Sequence, residues 1–282
     1  MARQHSMTRR KKASLFLTHV VLIMGCIAFG FPFAWLISTS LKPDLQILSF
    51  PPTWIPRPVV WSNYKEMMRL VPFWKFFWNT SYMTVLSIIG VLISSSMGAY
   101  AFSRLRWPGR DVIFLLFLGT MMIPSEVTMI PLYLIFRNLG WIDTLKPMWV
   151  PAFFGQPFNI FLLRQFMMTL PKDLEDAAKI DGCSYLQIYL HVIMPLVKPA
   201  LATVGVFTFM ARWNSFMTPL IYINSRDKMT LSLGLRLFQE IGSTQWGPMM
   251  AYAATMTLPI VIMFFFAQRQ FIQGIALTGM KG

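Results

Sequence analysis

Charge is what this sequence has least of. Only 13% of its 282 residues are Asp, Glu, Lys or Arg, against about 25% in soluble domains. Acidic residues number 11, fewer than half the 25 phenylalanines. A soluble enzyme, a disordered region and a collagen-like chain are excluded by that balance. Two cysteines, Cys26 and Cys183, are too few for a disulfide framework and lack metal-ligand spacing. The three histidines (His5, His19, His191) are scattered, so no metal site is expected. The net charge of +14 comes with no basic run that alternates with aromatics, which argues against nucleic acid. It suits basic residues at the margins of a membrane protein.

What is present is hydrophobic length. A hydrocarbon core needs about 20 apolar residues per helix. Residues 13–41, 76–103 and 241–268 carry no charged side chain. The stretch 147–163 is also charge-free, but Pro147, Pro151 and Pro157 interrupt it. Two more apolar stretches hold isolated charges, 112–136 with Glu126 and 197–223 with Lys198 and Arg212. The expectation is an all-α polytopic membrane protein with six transmembrane helices across 13–268. A 1–12 N-terminal segment precedes them and a 269–282 tail follows. With the N-terminus inside, inner segments hold 14 of the 25 Lys and Arg, and Arg9-Arg10-Lys11-Lys12 abuts the first span. Both termini are therefore expected in the cytoplasm. Gly90, Ser94 and Gly98 form a small-residue stripe suited to close helix packing. The Pro- and Trp-rich region 42–77 reads as an external loop, and the 22 methionines as pliable apolar filler.

The longest inner loop, 164–198, is not composed like a linker. Pro171 suits a first helical turn, and Asp173, Glu175 and Asp176 complement its positive end. Ala177 and Ala178 are strong helix formers with little side chain. Gly182 is a natural stop. Ser184 with Gln187 makes a capping box for a second helix, expected to end at Pro195. Helix, glycine turn, helix, with exposed alanines, can fit a groove on another protein.

The spacing Asp176-Ala177-Ala178-x3-Gly182-x9-Val192-x-Met194-Pro195 resembles the EAA signature of ABC-importer permeases. The stretch L-E-D-A-A-K-I-D-G (174–182) is similar to carbohydrate-uptake permeases of the maltose-permease type. Three further stretches share the resemblance: Ala99-Tyr100-Ala101-Phe102-x-Arg104-Leu105-x-x-Pro108-Gly109, Trp213-Asn214 with Pro219-Leu220, and a tail with Gly274, Gly279, Lys281 and Gly282. Asp for the signature Glu, Val for Ile and Met for Leu are conservative departures. The resemblance implies a type I ABC importer permease fold and a place in a prokaryotic cytoplasmic (inner) membrane. It implies one of two permease subunits, with two ATPase subunits inside and an external solute-binding protein delivering a sugar or oligosaccharide. Glu175, Asp176, Ala177, Ala178, Asp181, Gly182 and Pro195 would form the ATPase-coupling element, and Gly274, Gly279 and Lys281 a tail contact. No G-x-x-x-x-G-K-[ST] loop occurs, so the chain is expected to bind no cofactor and to be no enzyme itself. ATP and Mg would be used by the partner subunits.

Two other classes bear weighing. An ion-coupled secondary transporter would use intramembrane carboxylates and broken helices; Glu126 beside Pro124 fits, but a docking loop has no place there. A membrane-embedded enzyme would need a nucleophile with a base, or clustered ligands, and neither is visible. Polar groups inside spans usually face a cavity, which nominates Glu126, Gln156, Asn159, Arg212, Trp213 and Asn214 for the translocation pathway. Helix-to-helix hydrogen bonding is an equal alternative for Gln156 and Asn159, and an interfacial place for Trp213. Taken as straight helices, the spans put Glu126 and Arg212 at a common depth of roughly 21–23 Å, so an ion pair between them is expected.

Overall fold

The computed structural model describes the backbone of residues 2–240 and 245–279, and the side chains of 11–239 and 245–268. No strand occurs among the described residues. The chain divides into two compact units, residues 1–71 with 237–257 and residues 72–236 with 258–282.

In the first unit, helix α1 (Ala2–Ser40) leaves its apolar side chains largely exposed, as a lipid-facing span does. Helix α2 (Ser62–Leu70) closes the chain back on the end of α1. Asn63 Nδ2 donates to the carbonyls of Ser40 (2.9 Å) and Lys42 (3.0 Å), satisfying groups that a helix end leaves open. The Lys42 ammonium lies 3.8 Å above the Trp35 ring, a cation–π contact. Gly247 backs onto the same asparagine, where a Cβ would come within 2.7 Å of the Asn63 amide. Only glycine allows that approach.

The second unit is built on α3 (Phe73–Ser103). Helices α4 (Arg110–Gly119) and α5 (Ser125–Asn138) follow, then α6 (Pro157–Met168) and α7 (Asp173–Ile180). The rest comprises α8 (Tyr185–Leu196), α9 (Lys198–Trp213), α10 (Met217–Tyr222) and α11 (Trp246–Gly279), which begins in the first unit. The small stripe on α3 is where the chain from Met148 to Ile160 lies down. Ser87 and Ser94 donate to the carbonyls of Met148 (3.2 Å) and Ala152 (2.9 Å). A Cβ on Gly90 would sit 2.5 Å from the Phe153 ring, and one on Gly98 2.9 Å from Ile160. Packing, the ordinary use of such stripes, accounts for all three small residues.

The spans differ from straight rods. Among the described residues, three helices are long and apolar enough to cross a membrane: Lys11–Ser40, Phe73–Ser103 and Trp246–Gln268. Two pairs qualify only jointly, Arg110–Met122 with Ser125–Asn138, bent by 97°, and Tyr185–Leu196 with Lys198–Trp213, bent by 77°, for up to five spans. Ile123 is extended (ψ 116°), because the residue before a proline is driven out of the helical region, and Pro124 after it is extended too (ψ 139°). The expected span 147–163 is broken instead into Lys146–Trp149, a 3-10 turn Val150–Phe154, a positive-φ Gly155 (83°) and α6. Its three prolines are the cause. The 12 residues of α6 reach about 18 Å, short of the roughly 30 Å hydrocarbon core.

Candidate functional site

The loop 164–198 folds as helix, turn, helix. Helix α7 opens at Lys172 with no side-chain cap, and its first turn carries Asp173, Glu175 and Asp176, which favour the positive end of the helix. It closes in a glycine turn with two hydrogen bonds: Gly182 N donates to Lys179 O (3.0 Å) and Cys183 N to Ala178 O (2.9 Å). Those two bonds define a Schellman motif, which requires a left-handed residue, and Gly182 has φ 79°. A Cβ there would meet nothing within 4 Å, so backbone conformation, not space, restricts the position. Ser184 and Gln187 form the reciprocal capping box, with Gln187 Oε1 accepting from Ser184 N at 2.7 Å. Pro195 does not end α8, which runs to Leu196. The helix widens into a π segment at Ile188–Ile193, where Met194 N reaches the carbonyl of Tyr189. That widening relieves the clash a proline ring makes four residues back.

Two of the residues expected to face a partner turn inward. Ala178 is buried in the core formed with Ile188, Ile193 and Ala99. The Glu175 carboxylate lies 2.9 Å from the Arg104 Nε, with side-chain exposures of 8% and 3%. Arg104 Nη2 also donates to Leu170 O (2.9 Å). Tyr100 OH donates to Tyr185 O (3.2 Å), and Ser96 shares a hydrogen bond with the Tyr189 hydroxyl (2.7 Å). The end of α3 is thereby bolted to both helices of the loop. Removing one partner of such a buried pair costs about 3–5 kcal/mol. Asp173, Asp176, Ala177, Asp181, Gly182 and Pro195 stay exposed, beside exposed Leu174, Ile180, Tyr185 and Leu186. Lys179 reaches Asp176 at 3.0 Å, and that bond raises its pKa.

A separate cavity of about 640 Å³ takes in Glu126, Arg212, Thr128, Pro151, Thr218 and Tyr222 among its lining. Glu126 Oε1 accepts from Ser125 Oγ (3.0 Å), and no ion pair joins it to Arg212 among the described residues. The expected pairing fails because the 97° bend invalidates depth counted along a straight helix. The other nominated pathway residues lie elsewhere. Asn159 is buried and donates to Gln156 Oε1 (2.8 Å) within the start of α6. Trp213 is buried between Phe209 (5.2 Å) and Phe77 (5.7 Å). Asn214 is exposed and donates to Met210 O (2.9 Å). Lys281 and the surroundings of Gly274 and Gly279 lie outside the described residues.

Residues 90–276 match the family described as "Binding-protein-dependent transport system inner membrane component". The chain belongs to that family. A similar relative is the diacetylchitobiose uptake system permease protein DasC of Streptomyces coelicolor, 32% identical in an alignment of 280 positions that covers 96% of this chain and 100% of DasC. Another is the arabinooligosaccharides transport system permease protein AraQ of Halalkalibacterium halodurans, 32% identical over 97% of this chain and 100% of AraQ. Among solved structures, a chain of a bacterial ABC transporter involved in import of the acidic polysaccharide alginate matches with a TM-score of 0.79. It is 25% identical, and the match covers 93% of this chain and 97% of that one. The fold is that of a type I ABC importer permease, and an ion-coupled secondary transporter is not favoured.

Two features of this permease escaped the sequence reading. Arg104 appeared in a stretch that carries the family resemblance, but with no role, and its tie to Glu175 joins residues 71 positions apart, with no local signal. The second is a latch between the loops after α5 and α10. Asp143, at φ 56°, accepts from the backbone N–H groups of Asn224 (3.0 Å) and Ser225 (2.8 Å), from Ser225 Oγ and from Lys228 Nζ (2.9 Å). Those donors hold its carboxyl well below the usual carboxylate range. A non-glycine residue with positive φ occurs most often as Asn or Asp, a weak cue in the sequence.

Proposed function

We propose that this permease forms a carbohydrate pathway together with a second permease subunit, driven by two cytoplasmic ATPase subunits that use ATP and Mg. An external binding protein would deliver the sugar. The observation that carries the coupling part is the α7–α8 loop, whose exposed acidic and apolar face stands on a buried ion pair to the central helix α3. Force applied to that face would reach α3 through Arg104 and Glu175 without crossing a flexible linker. Carbohydrate as cargo is supported by the names of DasC and AraQ and by the alginate importer. Six spans and cytoplasmic termini follow if the broken segment from Lys146 to Met168 crosses once; the Lys and Arg distribution supports that orientation.

The test is Asp176→Lys in the complex reconstituted with its ATPase. Expected are normal membrane insertion and sugar affinity of the binding protein, with sharply reduced uptake and weaker recovery of the ATPase in pull-down. Normal uptake and recovery would make the loop a mere connection. Uptake that collapses with an ion gradient while ATP remains would favour secondary transport.

A further inference from the structure

On the side of the molecule that carries α7, five cations border one cavity of about 720 Å³: Arg104, Arg106, Arg110, Arg164 and Lys172, with Asp111 as its lone lining carboxylate. Three of the five are fixed in place. Arg104 is held by Glu175 and the Leu170 carbonyl. Arg110 is held by the Leu105 carbonyl (3.1 Å) and Asp111 (3.0 Å). Arg164 is held by the Phe102 carbonyl (3.1 Å) and lies 4.2 Å above the Phe114 ring. Arg106 and Lys172 are exposed and have no side-chain partner among the described residues. Even with Glu175 counted beside Asp111, positive groups exceed negative ones by three.

The pocket also has an apolar continuation. Helix α4 starts at its rim, and Val112, Leu115 and Leu116 are exposed along it. Trp107, in the pocket wall, is half-buried, with its indole N–H directed to the Ala101 carbonyl (3.4 Å). Tryptophan of this kind belongs at headgroup depth. A cationic pocket that opens onto an apolar helix face fits a molecule with an anionic head and hydrocarbon chains. A small anion would use only the first part.

We propose that this pocket binds the phosphodiester headgroup of an anionic phospholipid, with Arg106 and Lys172 as its free donors and the acyl chains lying along α4. Guanidinium groups match phosphate oxygens bidentately, and basic pockets between membrane helices are suited to anionic lipid heads. Because the pocket shares Arg104 with the brace under α7, an occupied headgroup would stiffen the base of the coupling helix.

The experiment takes the full-length permease through nanodiscs of phosphatidylcholine with or without phosphatidylglycerol, followed by native mass spectrometry of retained lipid. The wild type should keep phosphatidylglycerol over phosphatidylcholine by about tenfold or more. Arg106→Ala with Lys172→Ala should lose that preference, and Arg106→Lys with Lys172→Arg, which keeps the charge, should restore most of it. Equal retention of both lipids by the wild type, or an unchanged preference in the alanine double variant, would overturn the proposal. Soluble glycerol phosphate provides the second arm. Thermal protection by it without selective lipid retention would identify a free-anion site and sink the lipid assignment. Loss of the ATPase subunit in the alanine double variant, with lipid preference intact, would equally sink it by identifying a protein contact.

Discussion

Arg104 and Arg212 are both arginines at the end of an apolar helix, and their surroundings differ. Arg104 closes α3 with a carboxylate 2.9 Å away and a side chain 3% exposed. Arg212, one residue before the end of α9, lines a cavity of about 640 Å³ and has no side-chain partner among the described residues. A charge in an apolar setting is costly, and the two sites meet that cost differently. At the first, a fixed ionic bond ties two distant segments into one body. At the second, the cation stays open to whatever fills the cavity. The contrast separates a brace from an unpaired charge in a cavity, and it can be broken experimentally.

The largest effect should come from the brace. Glu175→Ala strands Arg104 in the core and should cost about 3–5 kcal/mol, read as lowered thermal stability of the purified permease. Replacing both partners, Arg104→Met with Glu175→Leu, should return stability to within about 1 kcal/mol of the wild type or better. If Glu175→Ala is as stable as the wild type, the pair is no brace.

Next comes the Asp143 latch, a second fixed charge but at a loop rather than a span. Its pKa is depressed from the ordinary 3.8, so its contribution is complete above that value and is lost as pH falls below it. Asp143→Asn should cost about 1.5–3 kcal/mol at neutral pH, the scale of hydrogen bonds to a charged group. The cost should shrink below about pH 3.8. Thermal melts of both proteins from neutral to acid pH check this; a difference independent of pH would show that charge plays no part.

Gly182 tests the turn between the brace and the exposed face of α7. Valine there should cost about 1–2 kcal/mol from the left-handed backbone alone. No neighbour lies within 4 Å of its would-be Cβ, so Gly182→Asn, which tolerates that conformation, should keep most ATPase stimulation while Gly182→Val loses it. Equal behaviour of the two would show that φ does not control the position.

The brace end was partly legible and the cavity end was not, for a physical reason. Acidic residues at an N-terminus, a glycine at a C-terminus and the Ser184–Gln187 box act over one or two turns, so spacing alone places them. The small stripe on α3 was legible for the same reason, since four-residue intervals mark one helical face. Whether Glu175 or Asp176 turns inward depends on where Arg104 lies, and no local pattern states that. Trp213 and Asn159 were nominated because polar groups in spans tend to face cavities. In the structure Trp213 packs between Phe77 and Phe209, and Asn159 donates to Gln156 three residues back. The 97° bend at Ile123–Pro124 has the widest consequence. A proline announces a break in the helix, but its direction is set by the packing around it.

The smallest effect should appear where the straight-helix reading expected a large one. Glu126 and Arg212 line the same cavity without forming an ion pair, and Glu126 bonds to its neighbour Ser125. With no ion pair between them, two such sites contribute additively, within about 0.3–0.5 kcal/mol, unless the contents of the cavity they share couple them. A double-mutant cycle with Glu126→Gln and Arg212→Gln, scored by sugar uptake in the reconstituted importer, should therefore give a coupling energy inside that range. Each single substitution should still lower uptake, because each removes a charge that the open cavity presents to its contents. Arg212→Gln alone is the sharper arm: it removes the cation that no carboxylate masks. A coupling energy above about 1 kcal/mol would show that the two charges act as a unit, through contact or through the cavity they share. It would move Arg212 from the class of open charges to that of Arg104.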